Sequence, residues 1–82
     1  MTPLFQLMPD HMTLDDYKIL IYPQDDHSSW VAEIPAIPAC YALMKTREAA
    51  LAELSLVFEM MAEDYREKGI SLPADNIEIA NA

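Results

Sequence analysis

Leu51, Leu54, Phe58, Met61 and Tyr65 recur three and four residues apart, a spacing that lays one continuous apolar stripe along a helix. A helix with such a stripe must bury it against another element, so this period constrains the architecture more than any other stretch. Ala50, Val57, Met60 and Ala62 widen the stripe, while Glu53, Glu59, Glu63, Arg66 and Glu67 are read as a solvated acidic face opposite it. Both ends of the helix, residues 47–68, are marked. Thr46 is placed as the N-cap, and Glu48 lies in the first turn, where the helix dipole favours negative charge. Ala49 holds the third position, so the reciprocal capping box is incomplete. Arg66 and Lys68 stand in the last turn, and Gly69, the chain's only glycine, sits where a left-handed residue closes a helix.

The stripe needs a sheet to cover. Residues 17–22, YKILIY, are β-branched and aromatic and read as a strand; PQDDHS is a polar turn; residues 29–34, SWVAEI, return antiparallel to the first strand. A third strand over residues 39–44 follows the bend at Pro35 and Pro38, and Ile77, Glu78 and Ile79 alternate as a short last edge strand. The expected fold is therefore α+β, ordered β-β-β-α-β: a three-stranded antiparallel sheet with one long helix on one face. Residues 1–16, interrupted by Pro3 and Pro9 yet rich in apolar side chains, read as an arm, and residues 17–82 as a single domain.

One helix covers one sheet face. Tyr17, Ile19 and Ile21 point one way and Leu20 and Tyr22 the other, while Tyr41 and Leu43 oppose Cys40, Ala42 and Met44. The second face is thus also apolar and calls for a cover, either the arm or another subunit, and a homodimer or larger assembly is expected. Size points the same way, because a chain of 82 residues buries only about 60% of its unfolded surface.

The net charge of −9 argues against free nucleic-acid phosphate as a ligand; it serves either a basic partner or solubility. One cysteine, Cys40, allows neither an internal disulfide nor a thiolate zinc site and reads as a small buried hydrophobe in a reducing compartment. No apolar run approaches the roughly 18 residues of a membrane span, and the N-terminus lacks the pattern of a signal peptide, so the cytoplasm is expected.

Reactive constellations are hard to assemble. Asp25, Asp26 and His27 are adjacent, and adjacent side chains on extended backbone diverge, so they read as solvated turn residues rather than metal ligands. His11 has no partner at a telling spacing, and Ser28 and Ser29 lack a glycine-flanked elbow. Trp30 is placed to face the helix as core. No enzyme activity, cofactor or metal is expected, and a metal-dependent nuclease would need a second carboxylate pair placed by secondary structure.

The order of Tyr17, Trp30, Pro35-Ala36-Ile37-Pro38-Ala39-Cys40, Thr46 six residues on, then Glu48-Ala49-Ala50-Leu51, with Leu72-Pro73 after Gly69, resembles the N-terminal domain of HicB family antitoxins. The likeness covers residues 17 to about 80. Tyr17, Trp30, Pro35, Pro38, Cys40, Thr46, Glu48 and Ala50 carry it as structural signature residues. Ala36 and Lys45 stand where the family has acidic residues, and Ala39 and Met44 where it has glycines. Without those glycines the turns are expected to use conformations that a side chain tolerates. The resemblance implies a partial ribonuclease H-like fold without catalytic carboxylates, assembled as a dimer or tetramer. It also implies a role in binding and masking a small basic HicA-like toxin that cleaves messenger RNA. No helix-turn-helix or ribbon-helix-helix segment follows, so no DNA binding is expected of this chain alone. Glu53, Glu59, Glu63 and Glu67 are the candidate partner-facing residues. The competing expectation is a stand-alone oligomeric scaffold or small-ligand-binding domain with no toxin partner.

Overall fold

The computed structural model describes residues 12–78. Within them lie a 3-10 turn over Leu14–Asp16, strands β1 (Leu20–Pro23), β2 (Trp30–Glu33) and β3 (Tyr41–Met44), and helix α1 (Arg47–Glu67). The sheet is three-stranded, ordered β1-β2-β3, and both pairings are antiparallel. Strands and helix fall where the apolar patterning puts them, with strand ends trimmed by up to three residues, except that β1 runs one residue further than expected, into Pro23 of the turn. The part of the arm before residue 12 lies outside the described residues.

Register sorts the side chains. Ile21, Ala32 and Ala42 are aligned across the three strands, and on this face Ala32, Ile34, Cys40 and Ala42 are buried beneath Ala50, Leu54 and Phe58 of α1. Small residues on both surfaces let helix and sheet approach closely, and Leu54 fills the space between. Trp30 is half-buried against the same core, as the alternation predicts. Burial raises the Cys40 thiol above its ordinary value, in keeping with its reading as a packed hydrophobe.

The Pro-x-x-Pro spacing has a direct structural consequence. Ile37 N–H donates to Ile34 O (3.1 Å) and Cys40 N–H to Ile37 O (3.2 Å), so two β-turns follow one another, with Pro35 and Pro38 at the second position of each. Ile34 and Ile37 are buried and anchor the double turn to the core. Ala39 has φ 67°, the left-handed value that the third position of a type II turn requires. The expectation of side-chain-tolerant conformations is thus overturned at Ala39: proline and the hydrogen bond to Ile37 O fix the turn, and alanine bears the strain.

The helix ends match their signals. Thr46 Oγ1 accepts from Ala49 N–H at 3.0 Å. At the other end Gly69 (φ 70°) donates to Arg66 O and Ile70 donates to Tyr65 O, forming a Schellman closure.

After the helix the expectation of a last strand fails at Ile77 and Glu78, which form no ladder; Ile79 lies outside the described residues. A carboxylate takes the ladder's place. Asp75 accepts from Lys18 N–H (2.7 Å) and from Ile77 N–H (3.4 Å), and it pairs with the Lys18 ammonium at 3.4 Å. Next to it the Tyr17 hydroxyl donates to Pro73 O at 2.6 Å, while its ring meets Phe58 edge-on with centroids 5.7 Å apart. Residues 72–77 are therefore tied to the entry of β1 by side chains.

Two outcomes follow. Ala39→Gly relieves a left-handed Cβ costing about 1–2 kcal/mol and loosens the unfolded chain by less, so denaturant unfolding should show a net gain of roughly 0.5–1 kcal/mol. The bond from Lys18 N–H, aided by Ile77 N–H and the Lys18 charge, outweighs desolvation and holds Asp75 below its ordinary value. Its contribution to stability is present above the unfolded carboxylate value near 4 and is lost as pH falls through the lower folded value. Acid unfolding of Asp75→Asn should be less steep than that of the parent in this window.

Candidate functional site

The outer surface of α1 gathers the charge singled out in the sequence. Glu59, Glu63 and Glu67 are exposed and four residues apart, so they form one row about 12 Å long. Glu53 is half-buried and sits on the opposite flank of the exposed surface, so it borders the site without extending the row. Among the described residues the ion pairs are Lys18–Asp75 and Lys68–Asp64, and neither involves a member of the row. Like charges four apart on a helix each cost about 0.2–0.5 kcal/mol, so the row is a standing local cost that an external cation would remove.

Between the row and Glu53 lie two apolar side chains that the sequence reading did not place there. Met60 is 69% exposed and Leu56 is 58% exposed. The sequence spacing places Met60 in the core stripe, and the structure corrects this. At 100° per residue it falls about 120° from Leu54, outside the arc that the sheet covers. That angle was the available signal, hidden because Met60 directly precedes Met61, which does pack inward. The surface is therefore mixed: an acidic row beside an exposed Leu-Met pair.

On its other side the row borders a groove of about 340 Å³ between residues 12–14 and α1, with Phe58, Ser55 and Ala62 among its lining and Glu59, Glu63 and Arg66 at its edge. The hairpin tip is different in character. Asp26 accepts from the Ser28 N–H (3.0 Å) and hydroxyl (2.8 Å), which holds its carboxyl below the ordinary value, and His27 takes φ 60° to close the turn. These residues build a turn, and among the described residues no three His, Cys, Asp or Glu side chains gather as a metal site. Nor, among those residues, is any helix long and apolar enough to cross a membrane.

The second sheet face is as apolar as the alternation predicts: Leu20, Tyr22, Val31, Tyr41 and Leu43 share it with Glu33. Tyr22, Tyr41 and Leu43 are exposed.

Of the family-signature residues, Tyr17, Cys40 and Ala50 are core, Trp30 and Pro35 are half-buried, and Pro38, Thr46 and Glu48 are exposed, with Pro38 shaping the turn and Thr46 the helix start. They are spread along the chain from the entry of β1 to the first turn of α1 and do not converge on one site. Neutralising the row at its centre tests its cost: Glu63→Gln removes two like-charge contacts and should stabilise the protein by about 0.5–1 kcal/mol in thermal or denaturant unfolding.

Two relatives are similar over most of the chain. A UPF0150 protein of Synechocystis is 38% identical over 65 residues, covering 79% of this chain and 88% of the relative. A UPF0150 protein of Thermoplasma acidophilum is 27% identical over 59 residues, covering 72% of this chain and 86% of the relative. No family model matches the chain, and no solved structure matches it.

Proposed function

The chain belongs to the UPF0150 family, and we propose that within it this protein is an antitoxin-like binding module that masks a small basic, HicA-like, messenger-RNA-cleaving protein by occlusion. The observation that carries the reading is the row Glu59, Glu63 and Glu67 with the exposed Leu56 and Met60 beside it. A protein that cleaves RNA needs a cationic surface to hold phosphate. An acidic row competes for that surface, and the opposite fields speed encounter and orient the pair. Leu56 and Met60 supply what charge alone does not, an apolar contact that is desolvated on docking and slows release. Masking of this kind requires no turnover, no cofactor and no metal. The resemblance of residues 17 to about 80 to the HicB N-terminal domain supports the same role, as does the net charge of −9.

The alternative, a self-assembling scaffold without a toxin partner, draws on the exposed second sheet face. The two readings part in one experiment. The protein is used as bait in its own cells at low salt and eluted with rising salt, beside a Glu59→Lys/Glu63→Lys variant. The proposal expects a small basic protein released by salt from the parent, its capture lost with the double variant. Recovery of the bait alone contradicts the masking role and favours the scaffold.

A further inference from the structure

We propose that the free edge of β3 pairs antiparallel with β3 of a second copy, joining two three-stranded sheets into one continuous six-stranded sheet. The ladder geometry sets which groups are available. Ile34 N–H donates to Cys40 O, so Cys40, Ala42 and Met44 direct their backbone groups to β2, and the alternation of an antiparallel pair turns those of Tyr41 and Leu43 outward. Among the described residues no hydrogen bond reaches the outward groups of these two residues. β3, whose sequence is YALM, is short, at four residues, but carries no proline, charged side chain or bulge to blunt its edge. The opposite edge is treated differently, since β1 ends at Pro23 and its approach is tied to residues 73–77 through Asp75 and Tyr17.

The pairing is self-complementary. With Ala42 on a two-fold axis, Tyr41 faces Leu43 of the second copy and Leu43 faces Tyr41, so each pair exchanges both of its backbone bonds. On the second sheet face this sets an aromatic ring against a branched aliphatic side chain, a favourable cross-strand pair. Both side chains are exposed, at 57% for Tyr41 and 48% for Leu43.

Charge selects the occupant. All 14 acidic residues lie outside residues 34–47, a stretch whose only charges are Lys45 and Arg47. A basic partner finds no acidic side chain on this strand, and another copy of an acidic chain meets none there to repel it. The helix row and the β3 edge thus address different partners, and the pairing does not rest on the masking role.

The test combines a strand-edge variant with cross-linking. Leu43→Pro deletes an outward N–H and leaves the bonds to β2 in place. Sedimentation velocity over a concentration series should show the parent as a dimer or larger even assembly and Leu43→Pro as a folded monomer. Separately, chains carrying Tyr41→Cys and Leu43→Cys are mixed and oxidised. The register places the two introduced thiols on residues with Cα atoms about 5.5 Å apart, within disulfide reach. The mixed disulfide should therefore outnumber both like-with-like products. A parent that sediments as a monomer throughout, or cross-linking with no preference for the mixed pair, overturns the proposal, whether or not Leu43→Pro folds.

Discussion

The packing of α1 on one face of the sheet, through Ala32, Ala42 and Ala50 around Leu54, is the interaction on which the rest of the structure depends. Three small side chains at the contact bring the helix close enough for Leu54 and Phe58 to fill the core. With one helix and three strands, that contact uses up the only covering layer among the described residues. Everything left over is then determined: the second sheet face stays apolar and exposed, and the far side of α1 carries the acidic row. The two candidate interaction surfaces are by-products of a single packing choice.

The double turn between β2 and β3 holds the sheet in position for that helix. Two prolines three apart each start a turn, and the buried Ile34 and Ile37 fix the turns to the core. Alanine at a left-handed position shows how strongly this geometry is imposed, since the backbone keeps the shape although the side chain disfavours it.

Most of the fold was legible because it rests on signals that are local and periodic. The three-four spacing, the Thr46 cap and Gly69 predict α1 almost to the residue, and strand alternation predicts which face carries Ala42 and which carries Leu43. The failures share a different cause. The last strand was expected from alternation at Ile77 to Ile79, but Asp75 spends its carboxylate on Lys18 and Ile77 N–H, a long-range contact with no sequence period. Met60 was misplaced because helical phase near the border of a stripe depends on how wide an arc the sheet covers. The acidic residues of the row were visible in the sequence, whereas the exposed apolar pair beside them was not.

The charge is partitioned: acids crowd the outer face of α1, and the β3 edge is free of them. The central claim is that the basic partner meets the helix and not the sheet. The most direct measurement is the methyl spectrum of the methionine-labelled protein, recorded as any small basic protein captured by the salt-eluted bait experiment is added. The account predicts that the Met60 methyl shifts on addition and returns at high salt, while Met44, at the sheet edge, does not follow that titration. A shift at Met44 with Met60 unmoved would contradict it.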